Sequence, residues 1–171
     1  CGGFDLGLMG QGFLPTQAYD HCPDAVSHYR RNVCRHAEQR DLTQFAPQVS
    51  KSPDVVIAGP PCQGFSTAGK RDLADERNHL LPLAGRLASA LNPRVIVIEN
   101  VAAAASGAHR SYWEELETYL RSQRYRTHTL RVNAADIGMP QSRRRLLLFA
   151  WRTNRDIDFE FPSASTGRLD H

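Results

Sequence analysis

The apolar run Val55-Val56-Ile57-Ala58-Gly59 ends on two prolines, and a cysteine, Cys62, follows them directly. A short apolar run of this kind reads as a buried strand. Proline fixes φ and removes the amide donor, so the strand stops at Pro60-Pro61 on stiff backbone. Cys62, with Gln63 and Gly64 behind it, is thereby displayed at the edge of a sheet, as a nucleophile must be. A free thiol titrates only about one to two units above neutral pH. Modest electrostatic help makes it a thiolate, whereas serine in the same place would need a strong base.

The rest of the chain alternates between strand and helix patterns. Arg94-Val95-Ile96-Val97-Ile98-Glu99 is a second buried strand, closing on a carboxylate. Between the two runs, Leu80, Leu83, Ala84, Leu87, Ala88 and Leu91 recur at helical spacing, with Pro82 in the first turn, where a missing amide is tolerated. Pro23 suits the first position of a helix reaching about Cys34. Ser111 and Glu114 have capping-box spacing and start a helix whose Trp113, Leu116 and Leu120 share a face. Residues 16–20, 125–132 and 146–151 read as extended. This alternation predicts an α/β fold, a mostly parallel sheet with helices on both faces. A chain of 171 residues suffices for one such domain, spanning 1–171.

Twenty-one basic against 18 acidic side chains leave a net charge of +3, which is compatible with a polyanionic partner. The arginines say more, since Arg143, Arg144 and Arg145 are consecutive. The four cysteines show no Cys-x-x-Cys spacing, and Cys22, Cys34 and His36 fit no common zinc pattern. Reduced thiols in a cytoplasmic protein are expected, with no metal and no membrane segment.

If the strands run parallel, Cys62, Glu99 and the glycine turn at Gly2-Gly3 meet at one carboxyl edge, where open α/β sheets bind ligands. A thiol and a carboxylate there suit attack on an electron-poor ring or carbonyl. Taken singly, each has a bland reading: a glutamate closing a strand is more often structural, and a lone cysteine is more often packing.

Together these residues resemble a known family. Gly59-Pro60-Pro61-Cys62-Gln63-Gly64-Phe65-Ser66, Glu99-Asn100-Val101 and Gln141-Ser142-Arg143-Arg144-Arg145 are similar, in order and approximate spacing, to motifs of the cytosine-5 DNA methyltransferases. The resemblance implies a Rossmann-like fold that uses S-adenosylmethionine and takes double-stranded DNA as substrate. It implies Cys62 as the nucleophile that adds to carbon 6 of a flipped-out cytosine, Glu99 as the group at N3, Arg145 at O2 and Arg143 in support. For the cofactor it implies Gly3, Asp20, Asp41, Leu42, Pro61 and Leu80, although Asp20 stands where the family usually has the longer Glu. It also implies a closing loop in which Gln63, Ser66, Lys70 and Arg71 face DNA. A restriction–modification setting, with a cognate endonuclease as functional partner and a nucleoid-associated location in a prokaryotic cytoplasm, belongs to the same expectation.

The family pattern starts with a strand and Phe-x-Gly before the glycine pair, and it continues through a target-recognition region and two closing motifs. The 171 residues are therefore expected to be a catalytic core truncated at both ends, with the target-recognition domain absent. Two alternatives stand beside the leading reading: an inactive fragment retaining partial cofactor or DNA binding, and an RNA cytosine-5 methyltransferase of the same family. A thymidylate-synthase-like enzyme also adds a cysteine to pyrimidine carbon 6, but it has no place for the Glu99 and Arg145 motifs.

Overall fold

A computed structural model describes residues 2–61 and 76–154. The chain divides into two compact units, Cys1–Gln48 and Val49–His171.

In the first unit, helix α1 (Gly3–Met9) is followed by strand β1 (Ala18–Asp20), helix α2 (Pro23–Asn32) and strand β2 (Ala37–Gln39). The helix between the strands returns the chain in the same direction, and β1 and β2 pair in parallel with Asp20 opposite Gln39. Pro23 does stand in the first turn of α2. Val26, Tyr29 and Ala37 form a small core against Ala18, Val33 and Cys34. Gly2 is fixed by two constraints. Its φ is +81°, and a Cβ there would lie 2.6 Å from Val33 Cγ2.

The second unit contains β3 (Val55–Ala58), α3 (Leu80–Ala90), β4 (Val95–Val101), α4 (Arg110–Ser122), β5 (Tyr125–Asn133) and β6 (Arg144–Arg152). Its sheet order is β3-β4-β6-β5. The α/β architecture expected from the sequence is present, and the strand directions follow the connections. β3 and β4, joined through α3, are parallel. β6 runs antiparallel to both β4 and β5, because residues 134–143 hold only a short 3-10 turn and no crossover helix.

Alternate residues of β4 turn to opposite faces. Ile96, Ile98 and Asn100 are buried, whereas Val97, Glu99 and Val101 are half-buried. Ile96 and Ile98 join Leu146, Leu148, Leu81, Trp113, Leu116 and Leu120 in one core. Burying a leucine such as Leu116 contributes about 1.5–3 kcal/mol. Helices α3 and α4 approach closely at Gly85, where a Cβ would sit 2.3 Å from Leu116 Cδ1.

The expected capping box at Ser111 is not formed. A 3-10 turn, Gly107–His109, runs directly into α4, so the helix begins at Arg110 with His109 as its cap. Ser111 is already inside the helix, and its hydroxyl donates to the Ala108 carbonyl at 3.4 Å. Glu114 instead accepts from Arg110 Nε at 2.7 Å, one turn along the exposed face.

Candidate active site

The parallel register sets Ala58 opposite Ile98, so Gly59-Pro60-Pro61 continues beside Glu99-Asn100-Val101. Asn100 lies on the core side of β4 and is 1% exposed. Its Nδ2 donates to the Pro60 carbonyl at 3.3 Å, and its Oδ1 accepts from the Val101 amide at 2.8 Å. One buried side chain thus ties the end of β4 to the turn that leads into Cys62.

Glu99 points to the opposite face. β4 and β6 pair with Glu99 opposite Leu147 and Val101 opposite Arg145, which makes Glu99 and Arg145 diagonal neighbours on that face. Arg145 Nε meets Glu99 Oε1 at 2.6 Å, with the two side chains 25% and 26% exposed. Arg145 Nη1 donates to the Arg144 carbonyl at 2.8 Å. Glu99 Oε2 lies toward Gly59, where a Cβ would be 3.9 Å away. A charge pair so far removed from water is stronger than one on the surface. The pleat sends Arg144 and Arg145 to opposite faces and Arg145 reaches Glu99, whereas Arg143 is exposed and precedes the strand. Arg143 is held through its backbone, its amide donating to Asn133 Oδ1 at 2.9 Å.

In the first unit, Asp20 ends β1 and Asp41 stands two residues beyond β2. Both carboxylates therefore lie past the carboxyl ends of neighbouring parallel strands. Asp20 Oδ1 accepts the Cys22 amide at 2.8 Å. Asp41 Oδ1 accepts the Thr43 amide at 2.9 Å and the Thr43 hydroxyl at 2.7 Å. These two bonds hold its carboxyl below the ordinary aspartate range, with the charge of His21 adding to them. A Cβ at Gly3 would meet no atom within 4 Å, so the backbone there is open to approach. Leu42, and in the second unit Pro61 and Leu80, are half-buried. Cys62, Gln63, Ser66, Lys70 and Arg71 lie outside the described residues.

Residues 1–168 match the family described as C-5 cytosine-specific DNA methylase. The chain belongs to that family. Among its curated relatives, it is 37% identical over 163 residues to the type II methyltransferase M.XorII of Xanthomonas oryzae pv. oryzae, covering 89% of this chain and 38% of the relative. It is 35% identical over 173 residues to the type II methyltransferase M1.HphI of Haemophilus parahaemolyticus, covering 95% and 46%. The chain thus spans less than half the length of either relative. Its fold is similar to that of the Dnmt2 methyltransferase of S. pombe, with a TM-score of 0.66 at 21% identity, covering 92% of this chain and 48% of that one.

Of the residues expected to share a site, the structure joins Glu99 to Arg145 directly. It also adds two residues that motif reading did not assign. Asn100 sits inside the Glu99-Asn100-Val101 motif, yet only the parallel register reveals its bond to Pro60. Asn133 precedes Arg143 by ten positions, and the contact between them depends on the intervening turn. Among the described residues, no group of three or more His, Cys, Asp or Glu side chains is arranged to hold a metal ion. No described helix is long and apolar enough to cross a membrane.

Proposed function

We propose that this DNA methylase chain carries the catalytic core of a DNA cytosine-5 methyltransferase of a restriction–modification system, acting on a flipped-out cytosine in double-stranded DNA. The observation that supports this most is the Glu99–Arg145 pair, 2.6 Å apart at the strand edge to which Asn100 ties the turn before Cys62. A pyrimidine with carbon 6 at Cys62 would present N3 and O2 to a carboxyl group and a guanidinium.

In this reading the Cys62 thiolate forms the S–C6 bond, and the C5=C6 electron pair moves toward carbon 5. Glu99 holds a proton at N3, which lowers the energy of the electron-rich ring. Arg145 binds O2 with its planar donor set, and Arg143 supports the loop that delivers it. Gln63, Ser66, Lys70 and Arg71 serve as contacts to DNA. Once the displaced electron pair has bonded carbon 5 to the methyl group, loss of the carbon 5 proton to water would supply the pair that reforms the C5=C6 double bond as the S–C6 bond breaks, returning Cys62 as its thiolate.

S-adenosylmethionine, when bound, supplies an electrophilic methyl group. The residues of the first unit fit such a ligand, because Asp20 and Asp41 end neighbouring parallel strands and offer acceptors to hydroxyl and amino groups. Open space over Gly3 suits backbone approach, and Leu42 supplies an apolar wall. A prokaryotic cytoplasm, near the nucleoid, is the location consistent with this role.

The test is a covalent complex with duplex DNA containing 5-fluorocytosine in the presence of S-adenosylmethionine. Fluorine at carbon 5 cannot leave as a proton does, so the adduct should survive denaturing electrophoresis, and Cys62→Ala should abolish it. Well-folded protein that binds DNA and cofactor yet forms no adduct would sink the mechanism.

A further inference from the structure

We propose that Asn133 is a positioning residue that latches the β5–β6 connection and thereby sets Arg143 and Arg145 for the reaction; the inference rests on the methyltransferase reading above. Asn133 is the last residue of β5 and pairs with Arg144, the first residue of β6. Its Oδ1 accepts the Arg143 amide at 2.9 Å and the Ala135 amide at 3.5 Å. The Ala134 amide donates to the Arg143 carbonyl at 3.0 Å. One side-chain oxygen therefore closes the neck of residues 134–143 while capping the turn that follows it.

Within the connection, Gly138 takes a left-handed φ of +87°, and the Gly138 and Met139 amides bond back to Ala135 and Ala134 at 3.3 and 3.1 Å. The loop is thus shaped by its own backbone, and Asn133 joins that shape to the strand that follows. The join matters because side chains alternate across a strand: a slip of one residue in β6 would carry Arg145 to the face opposite Glu99. Strand ends are also where a ladder opens most readily. With Arg143 clamped, Arg145 lies only two residues further along, where its Nε meets Glu99. Asn133 touches neither of the reacting groups, so its effect on the reaction passes through these arginines.

Two readouts test the latch. Hydrogen exchange at the Arg143 amide reports it without reference to activity. Asn133→Ala should raise that exchange rate about tenfold, and Asn133→Asp, which keeps the acceptor oxygen, should leave it near the wild-type rate. In methyl transfer to duplex DNA, Asn133→Ala should lower kcat about tenfold with KM for DNA little changed, and Asn133→Asp should restore it. Wild-type exchange at Arg143 in Asn133→Ala overturns the latch. Wild-type kcat in that variant, in a protein shown to be active, overturns its role in positioning. A wild-type protein that transfers no methyl group overturns the function proposed above, and the exchange measurement then decides the latch alone.

Discussion

Removing the Asn100 side chain tests how the end of β4 holds the turn before Cys62. In Asn100→Ala, two contacts vanish from a residue that is 1% exposed. The bond to the Pro60 carbonyl, long at 3.3 Å, contributes about 0.5–1 kcal/mol, and the Val101 amide, deprived of its 2.8 Å acceptor, is left unsatisfied at a cost of about 1–3 kcal/mol. The expected loss of stability is therefore about 1.5–4 kcal/mol, read as a lower midpoint in urea at unchanged slope. Freed from Asn100, the Gly59-Pro60-Pro61 segment gains room to move, and a displacement of about 1 Å at a reacting group costs on the order of a hundredfold in rate. Adduct formation with 5-fluorocytosine DNA, followed under conditions where the variant remains folded, measures that second effect. A variant that loses less than about 1 kcal/mol, or that forms the adduct at the wild-type rate, refutes the reasoning.

Gly85→Ala should destabilise the second unit by about 1–3 kcal/mol, because a Cβ 2.3 Å from Leu116 Cδ1 overpacks a fully buried neighbour, offset in part by alanine's better helix propensity; a neutral result in urea denaturation would show that α3 and α4 are further apart than described. Asp41, held below the ordinary aspartate range by Thr43, should keep its charge as pH falls until its own lowered pKa is reached. Stabilisation from a depressed carboxyl is present above the unfolded-state pKa and is lost as pH falls through the folded value. Thr43→Ala, which removes the hydroxyl bond and keeps the larger contribution of the Thr43 amide, should raise the Asp41 pKa part of the way toward the ordinary value, measurable by NMR titration of the carboxyl carbon; an unchanged pKa would rule out the hydroxyl as a cause.

Much of the fold was legible because its signals are local. The apolar runs at 55–58 and 95–98 lie within the observed β3 and β4, and the periodic residues from Leu80 to Ala88 lie in α3, with Leu91 as its C-cap. β2 was harder to see, since Ala37-Glu38-Gln39 carries no apolar pattern and becomes a strand only through pairing with β1. The start of α4 was misplaced for a related reason: capping-box spacing at Ser111 competes with a preceding 3-10 turn that sequence does not reveal. In the site, motif order pointed to Glu99 and Arg145, but which of three adjacent arginines meets the glutamate is decided by the pleat and register of β6.

The amino-acid sequence by itself determined the chemical inventory: a cysteine after two prolines, a carboxylate closing a strand, and an arginine cluster, in the order of the C-5 cytosine-specific DNA methylase family. These depend on residue identity and near-neighbour spacing, which a sequence carries directly. Only the tertiary structure decided that β6 enters antiparallel between β4 and β5, that Asn100 turns inward to Pro60 while Glu99 turns outward to Arg145, and that Asn133 clamps Arg143. Such contacts join residues 10 to 46 positions apart. Their partners are chosen by strand register, in which a shift of one residue reverses every side chain, and register is fixed by the packing of the whole sheet.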